Sequence, residues 1–247
     1  MRKNYRIQKT LLTAFCLTAA ACMISFAGQP GSGEQKVEEK NESGIDISHL
    51  KAAQDADQLI VVVGSGMDSS RIHAAYFKKT EAGSWKEEFY VPGYCGYNGM
   101  SEKKKEGDRR TPVGTYRFTN AFGIKEDPGS VMPYRQLDEY DYWVDDSSSK
   151  YYNQMVNTKK TPVTWNSAEH LIKVNPCYNY SLALDYNSDR VPGKGSAIFL
   201  HGLHPVKTWT EGCIAIPEAN MKELLRQVDG DTRIVIVSDS SKLEYSE

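Results

Sequence analysis

The apolar residues of this chain fall into short β-branched runs, and only one segment repeats them with the period of a helix. The run at 58–64, QLIVVVG, is continuous and ends in glycine, as is typical of a buried strand. Residues 120–160 are aromatic and turn-rich, and we expect loops and short strands there. Further strands are predicted at 72–78, 85–91, 115–118, 181–186, 196–200 and 232–237. The chain is therefore expected to form a mainly β domain.

The single helical repeat begins near Pro217, a residue type that suits the first turn of a helix. Met221, Leu224, Leu225 and Val228 follow at the spacing i, i+3, i+4 and i+7, which places them on one apolar face. We therefore predict one marked α-helix in this part of the chain.

Residues 1–27 have the features of a signal peptide. Four basic residues precede an uncharged run of 16 residues at 11–26, shorter than the roughly 20 residues of a membrane span. Ala27 closes a small-x-small pattern, so we expect cleavage after it. Lipidation of Cys22 stays an alternative, although Ala19 stands where a lipoprotein signal usually has leucine. Membrane contact is expected only through the signal or that lipid.

The expected domain order is a signal peptide at 1–27, a flexible linker at 28–50 and one domain at 51–247. The first part of the linker, GQPGSGEQKVEEKNESG, has too few apolar residues to order itself. An exported monomer is predicted, at the extracellular face of the membrane or in the cell wall.

Charge argues against a nucleic-acid partner. Loss of the four basic residues of the signal takes the formal net charge from −2 to −6, whereas nucleic-acid binding needs a basic face. The basic cluster at 103–110 is interleaved with acidic residues, so we expect a solvated loop there.

After cleavage at Ala27 three cysteines remain, namely Cys95, Cys177 and Cys213. Exported thiols tend to pair, and three is odd, so at least one stays free or pairs with another molecule. Pairing of Cys95 with Cys177 is left open. A free thiol kept outside the cytoplasm is a candidate nucleophile.

Cys213 stands twelve residues after His201, which ends a predicted strand, and a turn-rich loop joins them. Such a loop can bring an imidazole to a thiol, which cysteine nucleophiles require because little thiolate exists at neutral pH. Gly212 would let a substrate carbonyl approach the sulfur. His204, in the same loop, is the alternative base.

These residues resemble the L,D-transpeptidase catalytic domain family, also called YkuD-like. Its signature of His-Gly, a variable loop, Ser or Thr, one residue, Gly-Cys and a hydrophobic residue is met by 201–202, Thr210 and 212–214. The segment 107–116 resembles the family's Gly-x-x-x-Thr-Pro-x-Gly-x-aromatic motif. The likeness extends over about residues 57–238.

The resemblance implies a β-sandwich or barrel, a cysteine acyl-enzyme and peptidoglycan stem peptides as substrates, with no cofactor and no metal. It makes Cys213 the nucleophile and His201 the base. Oxyanion or substrate binding is expected of the residues beside them, Gly202, Thr210, Glu211 and Gly212. The products would be D-alanine and a cross-link, or a carboxypeptidase product if water is the acceptor.

Two positions depart from the better-known members, which have a second histidine at position 211 and often an arginine at 215. This chain has Glu211 and Ala215, so substrate recognition is less defined than the nucleophile. Two alternatives from other classes stay open: a zinc site formed by Cys177, His201, His204 and Cys213, and a non-catalytic wall-binding module.

Overall fold

A computed structural model of the protein describes residues 41–245. The predicted signal peptide, Cys22 and residues 28–40 of the predicted linker lie outside these residues. In chain order the helices and strands are α1 (Lys51–Gln54), β1 (Gln58–Gly64), β2 (Arg71–Lys79), β3 (Trp85–Tyr94), β4 (Met100–Ser101), β5 (Thr111–Pro112), β6 (Gly114–Gly123), β7 (Tyr134–Gln136), β8 (Asp141–Val144), β9 (Gln154–Asn157), β10 (Ala168–His170), β11 (Ser181–Leu184), β12 (Phe199–Gly202), β13 (Ile214–Ile216), α2 (Glu218–Leu225) and β14 (Arg233–Val237).

The main sheet closes on itself. Its strands follow the order β11-β12-β13-β3-β2-β1-β14-β6, and β6 also pairs with β11, so the two ends of the row meet. β7 lies beside β6 as a ninth strand. The prediction of a mainly β domain with a sandwich or barrel core is therefore confirmed. A row of strands whose first and last members pair with each other forms a barrel.

β1 lies in the middle of this row, between β2 and β14. Ile60 and Val62 belong to one apolar cluster, whereas Leu59 and Val61 belong to a second cluster on the other face. All four are buried. A strand covered on both faces cannot alternate apolar and polar residues, which explains the continuous apolar run in the sequence.

α2 packs on the first of these clusters through Met221, Leu224 and Leu225, each fully buried. The helix begins after Pro217 as predicted and ends at Leu225. Val228 belongs to the same cluster although it lies beyond the helix. The predicted apolar face is therefore correct, and the helix is shorter than its repeat suggested.

The structure differs from the predicted linker over residues 41–50. Ile47 and Leu50 are buried in the second cluster, against β1, β2 and β14. Glu87 accepts hydrogen bonds from the backbone of Glu42 and from Ser43. Apolar burial and these bonds order the segment, which the polar composition of the preceding residues did not reveal.

A second, three-stranded sheet has the order β10-β8-β9. It occupies the region that the sequence described only as loops and short strands, and Glu169 of β10 is opposite Trp143 of β8. Trp143 joins a third apolar cluster with Phe199 and Cys213. The small sheet is thus packed against the part of the barrel that carries the cysteine. No helix within residues 41–245 is long and apolar enough to cross a membrane.

Replacing Leu50 with alanine should lower the free energy of unfolding by about 2–5 kcal/mol, because it removes a fully buried side chain from the second cluster. Urea unfolding of the purified chain measures this. Val163→Ala is the control, since Val163 is 63% exposed and the change should stay within about 0.5 kcal/mol. If the two substitutions change the free energy of unfolding equally, residues 41–50 belong to the flexible linker.

Candidate active site

His201 and Cys213 are brought to one face of the barrel by two adjacent strands. β12 and β13 pair in parallel, with His201 opposite Ala215. Cys213 directly precedes β13 and stands two residues before Ala215. The residues that the sequence singled out as base and nucleophile therefore line one cavity.

This cavity has a volume of about 540 Å³. The barrel supplies Cys213 and His201, and the small sheet supplies Glu169, with Asp145 directly after β8. Ala215 also lines the cavity. Its side chain is smaller than the arginine that better-known family members often have at this position, so it leaves room beside His201.

The His201 ring is held by the residue that follows it. Its Nδ1–H donates to the Gly202 carbonyl oxygen at 2.7 Å, which leaves the Nε2 lone pair as the acceptor. The edge of Tyr178 packs against the ring, with centroids 5.3 Å apart. Burial lowers the pKa of His201 to about 4, so the imidazole is neutral at physiological pH and can accept a proton.

The Cys213 thiol is also neutral at rest. Burial, with a smaller contribution from the Glu169 carboxylate, raises its pKa to about 12, against the lowering effects of the Phe199 amide, Lys104 and Tyr178. The S–H donates to the Ala197 carbonyl at 3.2 Å, and the Phe199 N–H donates to the sulfur at 3.4 Å. The resting pair is thus a thiol and a neutral imidazole.

Thr210 fixes the loop that precedes Cys213. Its hydroxyl donates to the Cys213 carbonyl at 2.6 Å and accepts the Gly212 N–H at 3.1 Å. Gly212 has φ +142°, and an added Cβ would lie 3.0 Å from the Arg110 carbonyl, so glycine suits this turn. The Gly212 N–H, which is predicted to contribute to oxyanion or substrate binding, thus already donates to the Thr210 hydroxyl.

Gly202 and Glu211 each contact another residue of the site. The Gly202 carbonyl orients His201. Glu211 forms a two-point ion pair with Arg109, at 2.6 and 3.2 Å. Arg109 in turn lies over the rings of Tyr97 and Trp209, 4.2 and 4.7 Å from their centroids. The carboxylate that replaces the family's second histidine is therefore neutralised at the rim of the cavity.

The basic cluster at 103–110 is not simply a solvated loop. Lys104 is buried, with its side chain 3% exposed, and its ammonium pairs with Asp108 at 2.7 Å. An added Cβ on Gly212 would lie 3.5 Å from Lys104 Nζ. The solvated-loop prediction is wrong for Lys104, because its alkyl chain packs on Gly195 while Asp108 satisfies its charge.

Tyr178 and Glu169 were missed by sequence reasoning. The Tyr178 hydroxyl donates to the Glu169 carboxylate and lies 3.0 Å from each of its oxygens. Burial, with a smaller contribution from the Asp145 charge, raises the pKa of Glu169 to about 7. No spacing in the sequence ties these two residues to the cysteine, because the small sheet joins them only in three dimensions.

One further histidine and one further cysteine line the same cavity, namely His204 and Cys177. His204 lines the cavity, but its Nδ1 accepts the N–H groups of Val206 and Lys207 at 3.1 Å. Cys95, Cys177 and Cys213 are all free thiols. Within residues 41–245 no group of three or more potential ligands is placed to hold a metal ion.

A model of the YkuD family, described as the L,D-transpeptidase catalytic domain, matches residues 56–236. No curated protein sequence matches this chain. Among solved structures, the helical cell shape determining protein Pgp2 from Campylobacter jejuni is 18% identical, with 76% of this chain and 53% of that chain covered and a TM-score of 0.40. An L,D-transpeptidase from Mycobacterium smegmatis is 14% identical, with coverages of 74% and 59% and a TM-score of 0.32. L,D-transpeptidase 3 from Mycobacterium tuberculosis is 14% identical, with coverages of 72% and 59% and a TM-score of 0.33.

This chain therefore spans about half of the Campylobacter jejuni protein, or 53% of its length.

Alkylation of Cys213 by iodoacetamide should accelerate about tenfold per pH unit between about pH 6 and pH 10, because the thiolate reacts and its pKa is raised. Peptide mapping by mass spectrometry separates Cys213 from Cys95 and Cys177. A plateau below about pH 8 would instead indicate a preformed thiolate and imidazolium, contrary to the neutral pair described above.

Proposed function

Since the chain belongs to the L,D-transpeptidase catalytic domain family, we propose that it is an exported cysteine acyltransferase that acts on peptidoglycan stem peptides through Cys213. The observation that carries the proposal is the neutral thiol and the neutral, oriented imidazole of His201 on one face of the cavity.

In the first step the Cys213 sulfur attacks a peptide carbonyl carbon while His201 Nε2 takes the S–H proton. A neutral imidazole is needed for this, and the Gly202 carbonyl holds the tautomer that leaves Nε2 free to accept. The thiol proton must turn away from the Ala197 carbonyl to reach the imidazole.

In the second step the C–N bond breaks, and the imidazolium of His201 gives its proton to the departing amine. A thioester on Cys213 remains. By family resemblance the bond that breaks joins an L-centre to D-alanine, so D-alanine is the leaving group.

The Cys213 N–H is the backbone group we assign to the oxyanion, since Gly212 donates its own N–H to Thr210. Thr111 supports the same loop, because its hydroxyl donates to the Gly212 carbonyl at 2.8 Å. A loop held by two threonines keeps this amide in place without reorganisation during the reaction.

Transfer of the acyl group to an amine gives a cross-link, and transfer to water gives an L,D-carboxypeptidase product. Cys213 and His201 serve both outcomes. The proposed location, outside the cytoplasmic membrane or in the cell wall, follows from the substrate and from the signal predicted at residues 1–27.

Imipenem should add one adduct mass to the wild-type protein and none to the Cys213→Ala variant, because the sulfur opens the β-lactam to a thioester. Intact-mass spectrometry measures this. Cys177→Ala is the matched control, since Cys177 is a second free thiol in the same cavity. An adduct that persists in the Cys213→Ala variant and is absent from the Cys177→Ala variant would identify Cys177 as the nucleophile.

His201→Gln should slow acylation by about 100-fold or more, since it removes the proton acceptor. His204→Gln should change the rate by less than about threefold, because the Nδ1 of His204 serves only the loop backbone. The rate of D-alanine release from a disaccharide-tetrapeptide compares the two variants. The opposite order would make His204 the base.

A further inference from the structure

Two carboxylates face the cavity that holds the nucleophile. Glu169 and Asp145 both line it from the side of the small sheet. Glu169 opposes formation of the thiolate, because its charge raises the pKa of Cys213. A negative group beside a sulfur that must become negative hinders the first half of the reaction, so its placement calls for another reason.

Neither carboxylate has a basic partner within the part of the chain that the structure describes. No ion pair among residues 41–245 involves Glu169 or Asp145. The Oδ1 atom of Asp145 is buried and has no hydrogen-bond partner there. Lys104, whose charge acts on the thiol, is already paired with Asp108. The acidic wall is thus open to a positive group from outside the chain.

Glu169 is also held in a defined position. The Tyr178 hydroxyl donates to its carboxylate and lies 3.0 Å from each oxygen, and the same ring packs against His201. Tyr178 is itself buried among Phe122 and Phe199. The carboxylate is therefore fixed relative to both reacting groups by one rigid aromatic side chain.

On the premise of the acyl transfer proposed above, we propose that Glu169 is a catalytic residue of the second half-reaction. It binds the primary ammonium group of the acceptor, aided by Asp145, and takes one proton from it. The acceptor class is then a molecule with a primary amine that is charged at neutral pH.

The proton balance of this step is complete. One N–H bond of the ammonium breaks and an O–H bond forms on Glu169, so the nitrogen regains its electron pair and attacks the thioester carbonyl carbon. His201 takes a second proton from that nitrogen. The C–S bond then breaks, the sulfur leaves with the electron pair, and His201 returns the proton to it. An amide and the thiol result, and Glu169 releases its proton to water.

A proton acceptor works best when its pKa lies near the working pH. Burial and Asp145 raise the pKa of Glu169 to about 7, which meets this condition and agrees with the role assigned from the geometry.

The test uses a disaccharide-tetrapeptide whose side-chain amine is acetylated, so that only the added acceptor carries an ammonium group. Methylamine serves as the charged acceptor and hydroxylamine as one that is mostly uncharged at neutral pH. For Glu169→Gln we expect transfer to methylamine to fall by about tenfold or more. Transfer to hydroxylamine, and the first-turnover burst of D-alanine that reports acylation alone, should each stay within about threefold of wild type. Liquid chromatography with mass detection counts both products.

The matched control is Glu139→Gln, the same substitution at an exposed glutamate that precedes β8 and does not line the cavity. It should leave both transfers unchanged. Asp145→Asn should weaken methylamine transfer mainly through KM, because Asp145 attracts the ammonium without taking its proton.

Unchanged methylamine transfer in Glu169→Gln, or equal loss with both acceptors, would overturn the role. So would loss of the first-turnover burst of D-alanine, which would place Glu169 in acylation. Restoring the free amine of the donor gives a separate arm: a defect seen only with that donor would assign the carboxylate to the donor instead. If the wild type releases no D-alanine at all, the proposed function fails, and that result is distinct from any of these.

Discussion

The parallel pairing of β12 with β13 is the constraint on which the site depends. It puts His201 beside Ala215, and Cys213 directly precedes the neighbouring strand, so both side chains line one cavity. A parallel pair requires a crossover between its strands, and here the segment 203–213 provides it. The length of that loop and its glycine turn at Gly212 are thus set by the need to return the chain to the start of β13.

Much of the fold could be predicted from the chain itself because β1 and α2 have strong local patterns. A strand buried on both faces has an unbroken apolar run, and a helix packed on one face has an i, i+3, i+4 repeat. The ordered segment 41–50 could not be found this way. Its two anchoring residues, Ile47 and Leu50, are isolated in polar surroundings, and only the barrel surface gives them a partner.

The residues of the candidate site also differ in whether a local sequence pattern identifies them. His201 and Cys213 could be predicted from the sequence, because a strand end, a glycine and a fixed spacing identify them within one short stretch. The roles of Lys104, Tyr178 and Glu169 could not be predicted. They depend on burial, and burial results from contacts between residues that are distant in sequence. Lys104 was placed in a solvated loop for that reason. From composition alone a charged residue is expected to be exposed to solvent, because charged side chains are seldom buried unless they are paired.

The two walls of the cavity are encoded separately. The imidazole and the thiol come from the stretch 199–216, whereas the wall with Asp145 and Glu169 comes from the separate stretch 141–170. Substitutions confined to that stretch can change the charge of one wall while the register of β12 and β13, which brings His201 and Cys213 to one cavity, is unchanged. The two walls of the cavity can therefore vary independently in sequence.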